Sequence, residues 1–182
     1  YGIGGLGHLA IQYAAKMGAE VTAFTTSKNK ESLCKELGAS KVVLWDDFYK
    51  QDKDKIEKEY DLILNTLPVW SSQDNVDKWV ASLAPYGKLL LLGVASVEDP
   101  MTMDVRNLVF DHKLVIGSFV GGRKHTEDML KFSADNKVDV KCEFYEFEDF
   151  PKALEKLEKG QPQFRCVVKA ESAAKEIEKN WK

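Results

Sequence analysis

Apolar residues follow two different spacings along the chain, and these spacings alternate as far as about residue 120. Compact apolar runs predict buried strands in "GAEVTAFTT", "KVVLW", "DLILNTL", "YGKLLLLGVA" and "KLVIGSFVGG". Between these runs apolar residues recur three and four positions apart, as from Leu6 to Met17, which predicts amphipathic helices. Helices that alternate with strands apolar throughout predict an α/β fold, a doubly wound parallel sheet with helices on both faces.

The pattern changes after Lys137. "VKCEFYEF" alternates apolar and polar residues like a half-exposed strand, and "FRCVVKA" predicts another strand. "EDFPKALEKLEKG" predicts a helix, with Pro151 in its first turn and Gly160 just past its end, and "ESAAKEIEKNWK" predicts a polar terminal helix. We therefore divide the chain into one domain at residues 1–140 and a C-terminal segment at residues 141–182.

Composition narrows the class of protein. The 182 residues carry a formal charge of −3 with no dominant basic patch, which argues against a nucleic-acid partner. No apolar run approaches the roughly 18 residues of a membrane span. Cys34, Cys142 and Cys166 are an odd number of widely spaced cysteines, which favours free thiols and a cytoplasmic protein. No C-x-x-C or H-E-x-x-H spacing is present, so we expect no metal site within this chain.

The chain opens with glycines at the spacing G-x-G-x-x-G. They are Gly2, Gly4 and Gly7, with Gly5 and Leu6 between the last two. The first turn of a helix at this point offers unpaired N–H groups and the positive end of its dipole to a diphosphate. Gly2 permits a tight turn, Gly4 lets the backbone approach the phosphates, and Gly7 lets the helix pack closely. The spacing therefore predicts a dinucleotide-binding Rossmann domain, with a glycine-rich turn that holds no ligand as the alternative.

The end of the next strand indicates which dinucleotide binds. Sites for NAD usually have Asp or Glu there to hold the ribose hydroxyls, but the stretch from Phe24 to Lys30 has no acid. Thr25, Thr26 and Ser27 can donate to a 2′-phosphate, and Lys30 can neutralise it. We therefore expect NADP(H) rather than NAD(H). In the structural alternative these hydroxyls end the strand, Ser27 caps the next helix, and the lysines are solvated.

The opening and four later stretches, in this order, give the chain a family resemblance. "GIGGLGHLAIQYAAKMGAEVTAF" resembles the start of the cofactor domain of the zinc-dependent medium-chain alcohol dehydrogenases. "NTLPV", "LLLLGV", "IGSFVGG" and "LEKGQPQFRCVVK" are similar to stretches of the cinnamyl-alcohol-dehydrogenase subgroup. The resemblance covers essentially the whole chain.

The resemblance implies further cofactor contacts at the carboxyl ends of the strands, where such sheets bind ligands. Thr26, Ser27 and Lys30 match positions that bind a 2′-phosphate. The remaining contacts are Thr66 and Leu67 beneath the cofactor, Gly93 and Val94 on the nicotinamide side, and Ser118 and Phe119 at the nicotinamide ribose or carboxamide. The alternatives are backbone hydrogen bonds for the two hydroxyl residues of this set, and ordinary core packing for Leu67 and Phe119.

The resemblance also implies hydride transfer between a nicotinamide and an alcohol or aldehyde. In this family a preceding catalytic domain supplies the zinc ligands. We therefore expect zinc only in that domain, no catalytic residue in this chain, and residues 141–182 packed towards that domain. The first strand of the sheet should end at about Tyr1, so we expect the chain to be part of a longer polypeptide and to be inactive alone. His8 is expected to be structural or close to the phosphates.

Two other functions stay open at this point. Zinc-free quinone or enoyl reductases of the same superfamily share the glycine loop, and a nucleotide-sensing module without catalysis would also bind a dinucleotide. The family pairs subunits through the cofactor domain, so we expect a homodimer formed at the edge strand "LVIGSFVGG". The expected substrate is a small alcohol or aldehyde that the sequence does not identify.

Overall fold

Helices and parallel strands alternate along the chain, as predicted. The computed structural model describes residues 1–51, 56, 58–67, 76–93 and 103–171. The strands are β1 (Thr22–Thr25), β2 (Lys41–Leu44), β3 (Tyr60–Asn65), β4 (Leu83–Leu91), β5 (Leu114–Gly117), β6 (Cys142–Tyr145) and β7 (Arg165–Val168). The helices are α1 (Gly7–Lys16), α2 (Glu31–Glu36), α3 (Trp45–Tyr49), α4 (Val76–Ser82), α5 (Arg106–Val109), α6 (Arg123–Asn136) and α7 (Phe150–Glu158), with short 3-10 helices at Lys28–Lys30 and Phe147–Asp149.

Each pair of neighbouring strands is parallel, which confirms the predicted α/β class. β1 pairs with β2, β4 lies between β3 and β5, and β6 pairs with β7. The register sets Asn65 beside Leu91 and Leu91 beside Gly117, so β3, β4 and β5 end at one level. The segments that follow these three strands therefore emerge at one edge of the sheet.

The first residue lies against β3. The amine of Tyr1 donates to the carbonyl of Leu64 at 2.7 Å, and the N–H of Thr66 donates to the carbonyl of Tyr1 at 3.0 Å. This pattern is that of a residue in a strand parallel to β3. In the part of the chain that the structure describes, β1 and β3 are not paired with each other, and a cavity of about 140 Å³ lies between them. The sequence analysis predicts that a strand preceding β1 in the chain ends at about Tyr1, and that strand stays a prediction.

The two sheets of residues 1–140 share an aromatic core. Trp79 of α4 is buried, with Phe24 of β1 edge-on to it at 4.9 Å between ring centroids and Phe48 of α3 stacked on it at 4.6 Å. Leu83 and Leu89 of β4 complete this core. Because its members come from both sheets, burial of these side chains holds the β1–β2 sheet and the β3–β5 sheet together.

A buried lysine from the loop before β5 bonds to the last turn of α4. The side chain of Lys113 is 1% exposed, and its Nζ donates to the carbonyl of Val80 at 2.8 Å. It also pairs with Asp111 at 3.1 Å. The last carbonyls of a helix have no partner within the helix, so a cation placed there satisfies them. Lys113 thereby joins the loop before β5 to the core.

The helix ends test three of the predicted caps. Gly160 lies just past the end of α7, as predicted, with φ of +63°. Gly38 ends α2 in the same way, with φ of +111°. Pro151 lies in the first turn of α7, also as predicted. Ser27, however, precedes a 3-10 helix and makes no side-chain cap. The prediction that its hydroxyl caps the following helix is wrong.

The C-terminal segment forms its own two-stranded sheet and attaches to α1. The N–H of Lys141 donates to Nε2 of His8 in α1 at 3.3 Å. Just before the segment, the amide of Gln12 donates to the carbonyl of Asp139 at 2.7 Å and accepts the N–H of the same residue at 2.9 Å. Cys142 pairs in register with Arg165, and Glu143 pairs with Cys166. Because side chains alternate along a strand, Cys142 and Cys166 lie on opposite faces of this sheet. All three cysteines are free, as predicted. The predicted terminal helix lies, beyond residue 171, outside the described residues.

Candidate functional site

The glycine loop packs on the end of β3 through two of its glycines. Gly2 has φ of +90°, and a Cβ there would lie 2.9 Å from the side chain of Leu67. A Cβ on Gly7 would lie 2.1 Å from the carbonyl oxygen of Gly2. Contacts this short do not occur between a Cβ and backbone, so only glycine fits at position 7, and both residues bring the loop close to the sheet.

Gly4 differs from these glycines because it faces open space. A Cβ on Gly4 would meet no atom within 4 Å. The N–H groups of Gly5 and Leu6 have no hydrogen-bond acceptor among the described residues. They precede α1, a helix of 10 residues whose dipole is positive at this end. The loop therefore presents unpaired donors to an open face, which is the arrangement that binds an anion.

Thr66 fastens this loop to the sheet. Its hydroxyl lies 2.6 Å from the carbonyl oxygen of Gly2 and 3.0 Å from that of Tyr1, and the residue is buried. The hydroxyl is therefore engaged with the backbone of the loop, which is the structural alternative for this residue. Leu67 lies beneath the loop, and its N–H donates to Oδ1 of Asn65 at 2.9 Å.

Arg165 is a functional candidate that the sequence patterns do not single out. An ideal Cβ on Gly5 would lie 2.8 Å from the guanidinium carbon of Arg165, so the cation lies directly against the loop. Arg165 is exposed, and no carboxylate in the described part of the chain forms an ion pair with it. It reaches the loop from β7, which is distant in sequence, and the preceding residue, Phe164, packs on His8 of α1 with 4.5 Å between ring centroids.

The turn after β1 carries the hydroxyl and lysine residues predicted to bind a 2′-phosphate. Thr25 is buried, and its Oγ1 accepts the N–H of Ser27 at 3.2 Å, so its hydroxyl shapes the turn. Thr26 is exposed, and Ser27 is half-buried. Lys30 is exposed, and its Nζ donates to the carbonyl of Ile3 at 2.9 Å, which ties this turn to the glycine loop.

The residues predicted to line the nicotinamide follow β4 and β5. The N–H of Ser118 donates to the carbonyl of Leu91 at 3.0 Å, so Ser118 lies at the same level as the end of β4. Gly93 comes two residues after that strand. Phe119 is 86% exposed, so the alternative of ordinary core packing is wrong for it. Val94 lies outside the described residues.

The match to a known family decides the class of protein. The sequence profile of the zinc-binding dehydrogenases matches residues 5–135. The chain belongs to the zinc-binding dehydrogenase family.

Relatives of this chain include proteins with assigned activities. The probable formaldehyde dehydrogenase AdhA of Bacillus subtilis is 34% identical over 92% of this chain and 46% of its own length. The aldehyde reductase YahK of Escherichia coli is also 34% identical, over 92% of this chain and 46% of its own length. The chain therefore spans about half the length of these relatives.

Solved structures also match this chain over about half of their own length. A cinnamyl alcohol dehydrogenase from Sorghum bicolor superposes with a TM-score of 0.78 at 25% identity, over 92% of this chain and 46% of that one. The Helicobacter pylori cinnamyl alcohol dehydrogenase complexed with NADP(H) superposes with a TM-score of 0.75 at 28% identity, over the same shares. The fold is therefore the Rossmann-like cofactor domain of this family, as predicted.

The family name raises the question of metal binding. Within residues 1–51, 56, 58–67, 76–93 and 103–171, no group of three or more His, Cys, Asp or Glu side chains is placed to hold a metal ion. These residues therefore do not fit a zinc ion. The open face at Gly4 has room for a phosphate group, so the loop fits that part of a dinucleotide. Each helix in the described part of the chain is too short or too polar to span a bilayer.

Proposed function

We propose that this chain is the NADP(H)-binding portion of an alcohol dehydrogenase or aldehyde reductase of the cinnamyl-alcohol-dehydrogenase type. The observation that carries the proposal is the open face at Gly4, where the N–H groups of Gly5 and Leu6 are unpaired and Arg165 lies alongside. A diphosphate placed there receives backbone donors, the helix dipole and one guanidinium. The NADP(H) complex of the Helicobacter pylori relative supports this choice of ligand.

The choice of NADP(H) over NAD(H) rests on the turn after β1. Thr26 and Ser27 offer hydroxyls there, and the hydroxyl of Ser27 caps no helix. Lys30 provides a cation within reach of the loop, where it bonds to the carbonyl of Ile3. A carboxylate at this turn would repel a 2′-phosphate, and this turn has none.

In the proposed reaction the nicotinamide supplies or accepts the hydride that is exchanged with the alcohol or aldehyde carbon. The role of this chain is to bind the cofactor and to orient its nicotinamide. Gly4, Gly5 and Leu6 hold the diphosphate, while Gly93, Ser118 and Phe119 follow β4 and β5, which end level with β3, and line the nicotinamide end. Because the chain spans about half of its relatives, we assign the catalytic groups and zinc to the rest of the full-length protein.

Binding of the reduced cofactors to the full-length protein tests this proposal. We expect NADPH to bind at least about tenfold more tightly than NADH, a difference of roughly 1.4 kcal/mol. Two variants separate the contacts. Lys30→Ala should weaken NADPH alone, whereas Arg165→Met should weaken NADPH and NADH equally. Tighter binding of NADH, or an Arg165→Met effect confined to NADPH, would contradict the assignment.

We also propose that the protein is a cytoplasmic homodimer, paired at the open edge of β5. Within the described residues β5 has a strand on one side only, and apolar side chains are exposed beside it, including Phe110, Leu114 and Ile116. An exposed strand edge with apolar neighbours is suited to pairing with a second copy. The double variant Phe110→Lys and Ile116→Lys should halve the mass measured by analytical ultracentrifugation. A wild-type monomer would contradict the proposal.

We further propose that residues 141–182 pack towards the catalytic domain of the full-length protein. This segment exposes large apolar side chains on β6, on the following 3-10 helix and on α7: Phe144, Phe147, Phe150, Leu154 and Leu157. A cluster of this kind marks a surface that packs against another unit. Hydrogen exchange in the full-length protein should show these residues protected. Rapid exchange there would contradict the proposed packing.

A further inference from the structure

His8 is a completely buried histidine in the first turn of α1, with 0% exposure. Its Nδ1 lies 3.0 Å from the carbonyl oxygen of Gly4, and its Nε2 lies 3.3 Å from the backbone nitrogen of Lys141. A backbone N–H can only donate, so Nε2 must be an unprotonated acceptor. The proton of the neutral ring is then on Nδ1, where it is donated to Gly4.

This bond sets the direction of a neighbouring donor. The carbonyl of Gly4 accepts both the His8 side chain and the His8 backbone N–H, the latter at 3.1 Å. The carbonyl of Gly4 and the N–H of Gly5 belong to one planar trans peptide unit, so they point in opposite directions. Because the carbonyl is held towards α1, the N–H of Gly5 is aimed away from the helix.

We propose that His8 is a positioning residue of the phosphate site. Its neutral ring holds the Gly4–Gly5 peptide plane so that the N–H of Gly5 faces the diphosphate. The same ring ties this plane to Lys141 at the start of β6. The role rests on the proposed binding of a dinucleotide and adds to it a residue that itself touches no phosphate.

The charged groups around His8 agree with a neutral ring. Burial is the largest cause that lowers its pKa, and the nearby guanidinium of Arg165 lowers it further, while Asp139 and the bond to Gly4 act in the opposite direction. The ammonium of Lys141 is turned to Asp139 and Glu36, at 3.1 and 3.6 Å. His8 therefore acts through its hydrogen bonds, and the positive charge at the site belongs to Arg165.

Two substitutions separate the two bonds of the ring. In His8→Asn the amide nitrogen takes the place of Nδ1, so the donor to Gly4 is kept and the acceptor for Lys141 is lost. In His8→Gln the amide oxygen reaches the place of Nε2, so the reverse holds. Gln12→Met is the matched control, since Gln12 bonds the backbone of Asp139 and the backbone carbonyl of His8, and among the described residues it makes no hydrogen bond to Gly4.

NADPH binding and thermal unfolding are measured for the full-length wild type and these variants. The His8→Gln variant loses one aligned donor to a charged ligand, so its affinity for NADPH should be about tenfold or more below that of the wild type. The affinity of His8→Asn should stay within about threefold of the wild type. Gln12→Met should lower the unfolding temperature without changing affinity. If affinity in all variants simply follows the unfolding temperature, the positioning role is overturned and His8 is structural only.

Ring NMR of the wild type gives a second test that needs no variant. The nitrogen and carbon shifts of His8 should report the tautomer with hydrogen on Nδ1, and the amide proton of Gly5 should move downfield when NADPH is added. The opposite tautomer would overturn the inference even if NADPH binds. A wild type that shows the expected tautomer but binds no dinucleotide would instead overturn the proposed function.

Discussion

Alanine at Gly4 should remove cofactor binding and leave the fold intact, whereas alanine at Gly7 should damage both. The two glycines lie in one loop and receive the same added methyl group. They differ in what that methyl group meets. At Gly4 it meets no protein atom within 4 Å, and at Gly7 it lies 2.1 Å from the carbonyl oxygen of Gly2.

These distances set the expected magnitudes. Gly4 does not have a positive φ, so Gly4→Ala should change the free energy of unfolding by at most about 1 kcal/mol, and in the stabilising direction, because alanine restricts the unfolded chain. Gly7→Ala requires the loop to move by about 1 Å, and overpacking of this kind costs about 1–3 kcal/mol. In Gly4→Ala the methyl group fills the space where a phosphate would lie, so NADPH affinity should fall by at least tenfold, roughly 1.4 kcal/mol.

The assay is NADPH titration of the full-length protein by fluorescence, with urea unfolding of each variant as the measure of stability. Gly18→Ala is not a suitable control because Gly18 has φ of +89°. Gly117→Ala in β5 is suitable, since a Cβ there meets no atom within 4 Å and the residue lies outside the loop. If Gly4→Ala bound NADPH as tightly as wild type while remaining folded, phosphates could not occupy the face at Gly4, and the reasoning would be refuted.

Three further predictions concern the support of the site. Thr66→Val should lower stability by about 1 kcal/mol in urea unfolding and weaken NADPH binding, because the carbonyl of Gly2 loses the hydroxyl of Thr66 and keeps the N–H of Gly4, and Thr66→Ser should restore both. Lys113→Ala should lower stability by about 2 kcal/mol, since the carbonyl of Val80 is left unpaired, without changing NADPH affinity in the same titration. His8 is held neutral by burial, so stability should fall as the pH drops below its unfolded pKa of about 6.5. This contribution is complete above that pH and should be absent from the unfolding profile of His8→Asn.

Most of the fold could be predicted from the sequence, because most of its helices and strands show in the spacing of apolar residues that are close together in the chain. The spacing of apolar residues predicted β1 through β5 and the helix after the glycine loop. It did not predict α5, which has only 4 residues and so is too short to show a helical spacing. Parallel strands of the predicted kind end at one edge. The sequence therefore placed Thr66 and Ser118 at the ends of β3 and β5, which the structure shows at one level on either side of β4. It could not give the hydrogen bonds of Thr66, since these depend on how closely Gly2 approaches β3.

The prediction for Ser27 failed for a reason that improves the candidate site. Thr25 takes the N–H of Ser27 for its own hydroxyl, and the chain enters a 3-10 helix before α2 begins at Glu31. Ser27 therefore lies three residues before Lys30, the N-cap position of α2. Within the part of the chain that the structure describes, its hydroxyl makes no cap at the point where a 2′-phosphate is proposed to bind.

A phosphate site needs space, aimed donors and positive charge, and these three requirements are encoded at different distances along the chain. The space at Gly4 can be predicted directly from the spacing of the glycines. The direction of the Gly5 donor depends on His8, whose tautomer is fixed by a backbone N–H 133 residues away. The cation Arg165 comes from β7. Because the last two requirements depend on the contacts that Lys141 and Arg165 make with His8 and the loop, loss of these contacts should reduce NADPH affinity even when the glycine loop is unchanged.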